Sequence, residues 1–179
     1  EEWQQNVPNG DTVQVSLVAD PEVLSKAARR LQNIGPDLFT AVDCQGVSLR
    51  NAGKLCLVQV SFDIGEGLEC FLFDIVQLGD HVQALLHFLQ NPHALKVVND
   101  AQTLAMALAH QFGACPLKGV IDTHCAYEML MHRPLGSLRE LLEYCKVPGL
   151  PNKEDPRMGE HAPELWLYRP LARSMLSYA

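Results

Sequence analysis

The chain has 179 residues, 47% of them hydrophobic, which suffices for one buried core and excludes a disordered chain. Its 14 Lys and Arg against 21 Asp and Glu give a formal charge of -7, which excludes strong nonspecific attraction to phosphates over the whole surface while leaving room for a local basic patch. No run approaches about 20 apolar residues, and Glu1-Glu2-Trp3-Gln4-Gln5 lacks a basic or apolar leader, so a soluble single domain over 1–179 without a membrane partner is expected. The missing initiator Met and the helix-like final residues predict a piece excised from a longer protein.

In chain order, "TVQVSLV" (12–18) alternates as a half-buried strand does. A helix follows, with Asp20 as N-cap, Pro21 at its first position, and Val23, Leu24, Ala27, Ala28 and Leu31 on one face. Three β-rich runs, Leu38 to Gln45, Lys54 to Phe62 and Glu69 to Ile75, are separated by glycine-bearing connections and predict an antiparallel meander. The period then changes. "DHVQALLHFLQ" (80–90) has helical spacing, "LKVVND" reads as a strand, "AQTLAMALAHQFG" as a helix stopped by Gly113, and "GVIDTHCAYEMLM" as strand into helix. "LGSLRELLEYC" adds a helix capped by Ser137; the Pro-rich stretch from Lys146 to Pro163 reads as a loop before a closing amphipathic helix from about Glu164. Such an order gives a central mixed sheet flanked by helices.

The six cysteines, Cys44, Cys56, Cys70, Cys115, Cys125 and Cys145, stand alone in apolar surroundings and read as reduced, buried thiols of an intracellular protein. His87, His110, His124 and His132 lack metal-ligand spacing.

The blocks "VDCQGVSLRNAGKLCLVQVSF", "CFLFDI", "LKVVNDAQTLAMALAHQFG", "VIDTHCAYEML", "LGSLRELLEYC" and "WLYRPLARSMLSYA", in this order over residues 12 to 179, resemble the DEDD 3′-5′ exonucleases of the ribonuclease D type. Within that group the chain is most similar to the exonuclease 3′-5′ domain-containing proteins related to Egalitarian and to piRNA biogenesis. The resemblance implies an α/β fold of the ribonuclease H-like kind, with a five- or six-stranded mixed sheet.

It also implies two divalent metals held by four carboxylates, with a Tyr or His orienting the attacking water. The first motif, D-x-E, stands here as Asp43-Cys44-Gln45; in the second, the acid falls on Leu104 and the preceding His on Asn99; Tyr178 matches the third, whose Asp would lie past Ala179. Gln45 brings no net charge and Leu104 no ligand, so two metals with four positive charges would meet one visible anion. We therefore read Asp43, Gln45, Leu104 and Tyr178 as relict positions, with no catalytic residue and no required cofactor, and at most a weakly held divalent cation at Asp43. Leu104 is equally in line with Ala101, Ala105, Leu108 and Phe112 as ordinary helix core; Asp100 is better placed as an N-cap than as a substitute acid, and Asp122 as a structural cap.

Three functions compete. The first is an inactive nuclease domain that binds single-stranded RNA weakly, through Lys54, Trp166, Arg169 and Arg173 as candidates, and joins protein partners of a piRNA-type complex in the cytoplasm or its RNA granules. The second is an active exoribonuclease with an altered set including Asp43 and Asp100. The third is a protein-interaction or homodimerisation module without RNA contact.

Overall fold

The computed structural model describes residues 1–6, 11–65, 67–113, 116–147 and 163–178, the side chains of 177 and 178 aside. The strands are β1 (Glu2–Asn6), β2 (Thr12–Val18), β3 (Phe39–Val47), β4 (Lys54–Asp63), β5 (Leu68–Asp74), β6 (Leu95–Val98) and β7 (Val120–Asp122). They form one sheet in the order β1-β2-β5-β4-β3-β6-β7. The expected meander is present as the antiparallel centre β5-β4-β3, and the parallel pairs β2/β5, β3/β6 and β6/β7 extend it on either side.

Seven strands exceed the five or six implied by resemblance. The sequence reading missed β1 because its EWQQN pattern has one large apolar residue; it is an edge strand that pairs antiparallel with β2 from Glu2↔Ser16 to Asn6↔Thr12.

The helices are α1 (Pro21–Gln32), α2 (Ile75–Leu78), α3 (Gln83–Gln90), α4 (Ala101–Phe112), α5 (Thr123–Met131), α6 (Leu138–Tyr144) and α7 (Arg173–Tyr178). Strand alternation divides the buried side chains between two cores. Val42, Val58, Val60, Phe71 and Phe73 pack against α1, α3 and α4. Val13, Val15, Leu57 and Leu72 meet Trp166, Leu171, Met175 and Leu176 on the other face. The β3/β4 register jumps from Gln45↔Leu57 to Gly46↔Leu55, so Cys56 is an extra residue and Leu55 and Leu57 turn to opposite cores. Gly46 is required there, since a Cβ would lie 2.2 Å from the Lys54 carbonyl oxygen.

The closing helix expected from Glu164 is split. A 3-10 turn spans Pro163–Leu167, and α7 begins only at Arg173. Pro170 has no N–H and disfavours helical backbone at Arg169, which separates the two. The cysteine expectation also needs correction: Cys56 is buried and Cys44 and Cys70 half-buried, but Cys125 and Cys145 are exposed. Apolar neighbours in sequence did not fix which face of α5 or which end of α6 they occupy; Cys115 lies outside the described residues.

Lys96 has no solvent exposure and is held by the Phe88, Asn91 and Ala94 carbonyls at 3.3, 2.7 and 2.6 Å. Burial pushes its ammonium down to about 8.

Candidate functional site: a cleft beyond the strand ends

β3 and β6 run parallel only as far as Val42↔Val98, and β6 and β7 as far as Val98↔Asp122. Asp43, Asn99 and Thr123 thus come one after another across the carboxyl ends of three parallel strands, where open α/β sheets form their binding crevices. The sequence placed Asp43 at a strand's end; the strand itself continues to Val47 on its β4 side, opposite Gln59.

Alternation puts Asp43 and Gln45 on one face, and Gln45 donates its Nε2 to Asp43 Oδ2 at 3.3 Å. The amide therefore turns its N–H, not its oxygen, toward the carboxylate. Asp43 keeps solvent contact, but the surrounding walls crowd it enough that desolvation pushes its carboxyl up, offset only in part by a backbone hydrogen bond from Cys44. Leu104 is 1% exposed, packed in the larger core, and lines the same small cavity of about 180 Å³ as Asp43, Asn99, Asp100 and Thr103.

Asp100 caps α4 with φ of 63°, accepting from the Thr103 N–H at 3.2 Å and the Thr103 hydroxyl at 2.7 Å. It also forms an ion pair with Arg50. Burial pushes its carboxyl up, but the bonds from Thr103 and Arg50 outweigh this and hold it below the usual range. The capping role expected from sequence is present, and an ion pair adds to it. Arg50 itself escaped the sequence reading because its partner stands 50 positions away.

Asp122 accepts from the N–H groups of Asp100 at 3.1 Å, Ala101 at 2.9 Å and His124 at 2.9 Å. One carboxylate thereby satisfies the starts of α4 and α5 together. Asp122→Ala is expected to cost about 2–3 kcal/mol in urea unfolding, more than a single cap.

Of the RNA-binding candidates, Lys54 and Arg173 are exposed, and the Arg173 guanidinium lies 5.8 Å from the Trp3 ring centroid. Two others need correction. Trp166 is 2% exposed within the smaller core, which leaves no face for a base. Arg169 is bound bidentately by Asp74, with its Nε at 2.5 Å and Nη2 at 2.6 Å, and also donates to the carbonyls of Trp166, Tyr168 and Cys56. The sequence showed an aromatic and cationic cluster; the fold turns it inward. The backbone of Tyr178 ends α7, while its side chain lies outside the described ones.

The fold family implies a two-metal centre, and the donor set here does not fit one. Asp43 has an amide N–H against it, Leu104 offers no lone pair, and Asp100 is engaged by Arg50. Among the described residues no group of three or more His, Cys, Asp or Glu is arranged to hold an ion.

The seven-stranded mixed sheet with a carboxylate at the parallel strand ends matches the ribonuclease D-like 3′-5′ exonuclease fold. A family model described as 3′-5′ exonuclease matches residues 15–179, and the chain belongs to that family. It is 31% identical over 178 residues to the piRNA biogenesis protein EXD1 of Mus musculus, covering 91% of this chain and 30% of that protein. The chain thus spans under a third of that relative's length. Among solved structures it is similar to Trypanosoma brucei RNase D in its GMP complex, with a TM-score of 0.73, 25% identity, and coverage of 92% and 52% of the two chains. Escherichia coli RNase D, an exoribonuclease involved in structured RNA processing, shares the fold with a TM-score of 0.68 at 24% identity, over 92% of this chain and 40% of that one. Among the described residues no helix is long and apolar enough to cross a membrane.

Proposed function

We propose that this chain is a catalytically inactive exonuclease-like domain that binds single-stranded RNA weakly and acts as an adaptor in a piRNA-type complex. The observation that carries the inactivity is the Asp43, Gln45 and Leu104 constellation: one carboxylate, an amide donating to it, and a buried aliphatic where a ligand belongs. Asp100 does not replace the missing acid while Arg50 and Thr103 hold it. The pathway is supported by the piRNA-biogenesis relative, and the ligand class by T. brucei RNase D, which has been solved with RNA U12. Affinity would come from a local surface that includes Lys54 and Arg173, strengthened in a homodimer or a larger cytoplasmic assembly, since the net charge opposes phosphates elsewhere.

The test is decay of 3′-labelled single-stranded RNA with Mg²⁺ or Mn²⁺, beside salt-dependent binding of the same RNA. No trimming is expected, and binding should weaken with salt and in Lys54→Ala/Arg173→Ala. Metal-dependent trimming abolished by Asp43→Ala would refute inactivity. Binding indifferent to salt and to both cations would refute the RNA surface and leave a protein-interaction module.

A further inference from the structure

We propose that the groove between α5, α6 and the strand ends receives an arginine side chain of a partner polypeptide, its guanidinium meeting Asp43. This rests on the reading of the cleft as one without catalytic metals. The groove has a volume of about 540 Å³ and is lined by Tyr127, Leu130, Leu138 and Leu141 together with Asp43 and Asn99. An apolar slot with a carboxylate in its lining suits a side chain with a methylene stem and a cationic head.

The described residues do not supply that cation. Among the described residues no Lys or Arg forms an ion pair with Asp43; Arg50 is paired with Asp100, Arg133 with Glu140, and Arg139 with Glu143. Gln45 gives Asp43 one neutral donor at 3.3 Å, which leaves further carboxylate lone pairs. A phosphate entering here would meet like charge between low-polarity walls, whereas a cation meets opposite charge. Arginine fits better than lysine because its planar fork is weakly hydrated and can address a carboxylate with two parallel N–H groups. The wall also continues outward. Leu130 and Leu138, which line the groove, are 73% and 46% exposed, and Met129 beside Leu130 in sequence is 76% exposed, so apolar area is open to residues flanking the arginine.

The experiment is an NMR titration of the ¹⁵N-labelled chain with N-acetyl-arginine methylamide, against the citrulline derivative of equal size and no charge. Saturable shifts confined to Asp43, Asn99 and the α5–α6 residues are expected, with citrulline at least about fivefold weaker. Asp43→Asn should remove the preference for charge, and Leu130→Ser, at an exposed position, should weaken binding without risk to the core. Equal binding of both derivatives, scattered shifts, or no effect of either substitution would overturn the proposal. Mn²⁺ broadening is measured in the same sample. Strong broadening at Asp43 would sink the metal-free reading whatever arginine does, while failure of arginine without broadening sinks the receptor alone.

Discussion

Arg169→Ala is expected to lower the unfolding free energy by about 3–5 kcal/mol, because it strands a carboxylate in the protein interior. Asp74 is 1% exposed on its side chain, and Arg169 14%. Two N–H···O bonds join them, and three further bonds from the same guanidinium reach Trp166, Tyr168 and Cys56. The arginine thus fastens the segment of Pro163–Leu167 and α7 to β4 and to the end of β5, beneath the cluster of Trp166, Leu171, Met175 and Leu176. Loss of that fastening should appear as an earlier urea midpoint and as a change in the near-ultraviolet signal of Trp166. The double substitution Asp74→Leu/Arg169→Leu separates two causes. If the cost lies in the uncompensated charge, the double variant regains most of the loss, short of about 1 kcal/mol for the cap that Asp74 gives to Gln77. If the double variant is no better than Arg169→Ala, the shape of the guanidinium fork matters more than its charge.

The sequence exposed the parts of this fold whose signals are local. The TVQVSLV alternation, the Asp20-Pro21 start and the Ser137 cap all rest on contacts within a few residues, and each is present. What escaped depends on partners far along the chain. Arg50 meets Asp100 across 50 positions, and Arg169 meets Asp74 across 95, so neither spacing carries a periodic trace. The error over Trp166 has the same origin. An aromatic beside arginines reads as a surface for bases until the fold shows which face of the sheet it covers. The cleft was more legible, because Asp43 and Gln45 share a face by strand alternation alone. The direction of the Gln45 amide, and the solvent contact that Asp43 keeps, required coordinates.

Gln45→Glu/Leu104→Asp is expected to create divalent-cation binding in the cleft, with Mn²⁺ affinity rising by at least about 100-fold over the original chain. The cause is electrostatic. The pair changes the visible ligand charge from one carboxylate to three, and the first of the new carboxylates would lie on the face of β3 where Gln45 now turns an N–H to Asp43. The stability should move in opposite directions with and without metal. Leu104 is 1% exposed in the larger core, so an aspartate there in chelator should cost several kcal/mol, as an unpaired buried charge does. Mn²⁺ should return much of it, since an ion that binds only the folded chain stabilises it by mass action. Thermal unfolding in EDTA and in millimolar Mn²⁺ reads both effects, and Gln45→Glu alone serves as control. That single change leaves Leu104 in place, and with two acids and no third ligand its gain should be small. A double variant whose melting temperature ignores Mn²⁺ would show that Gln45 and Leu104 are not what denies the cleft its metal.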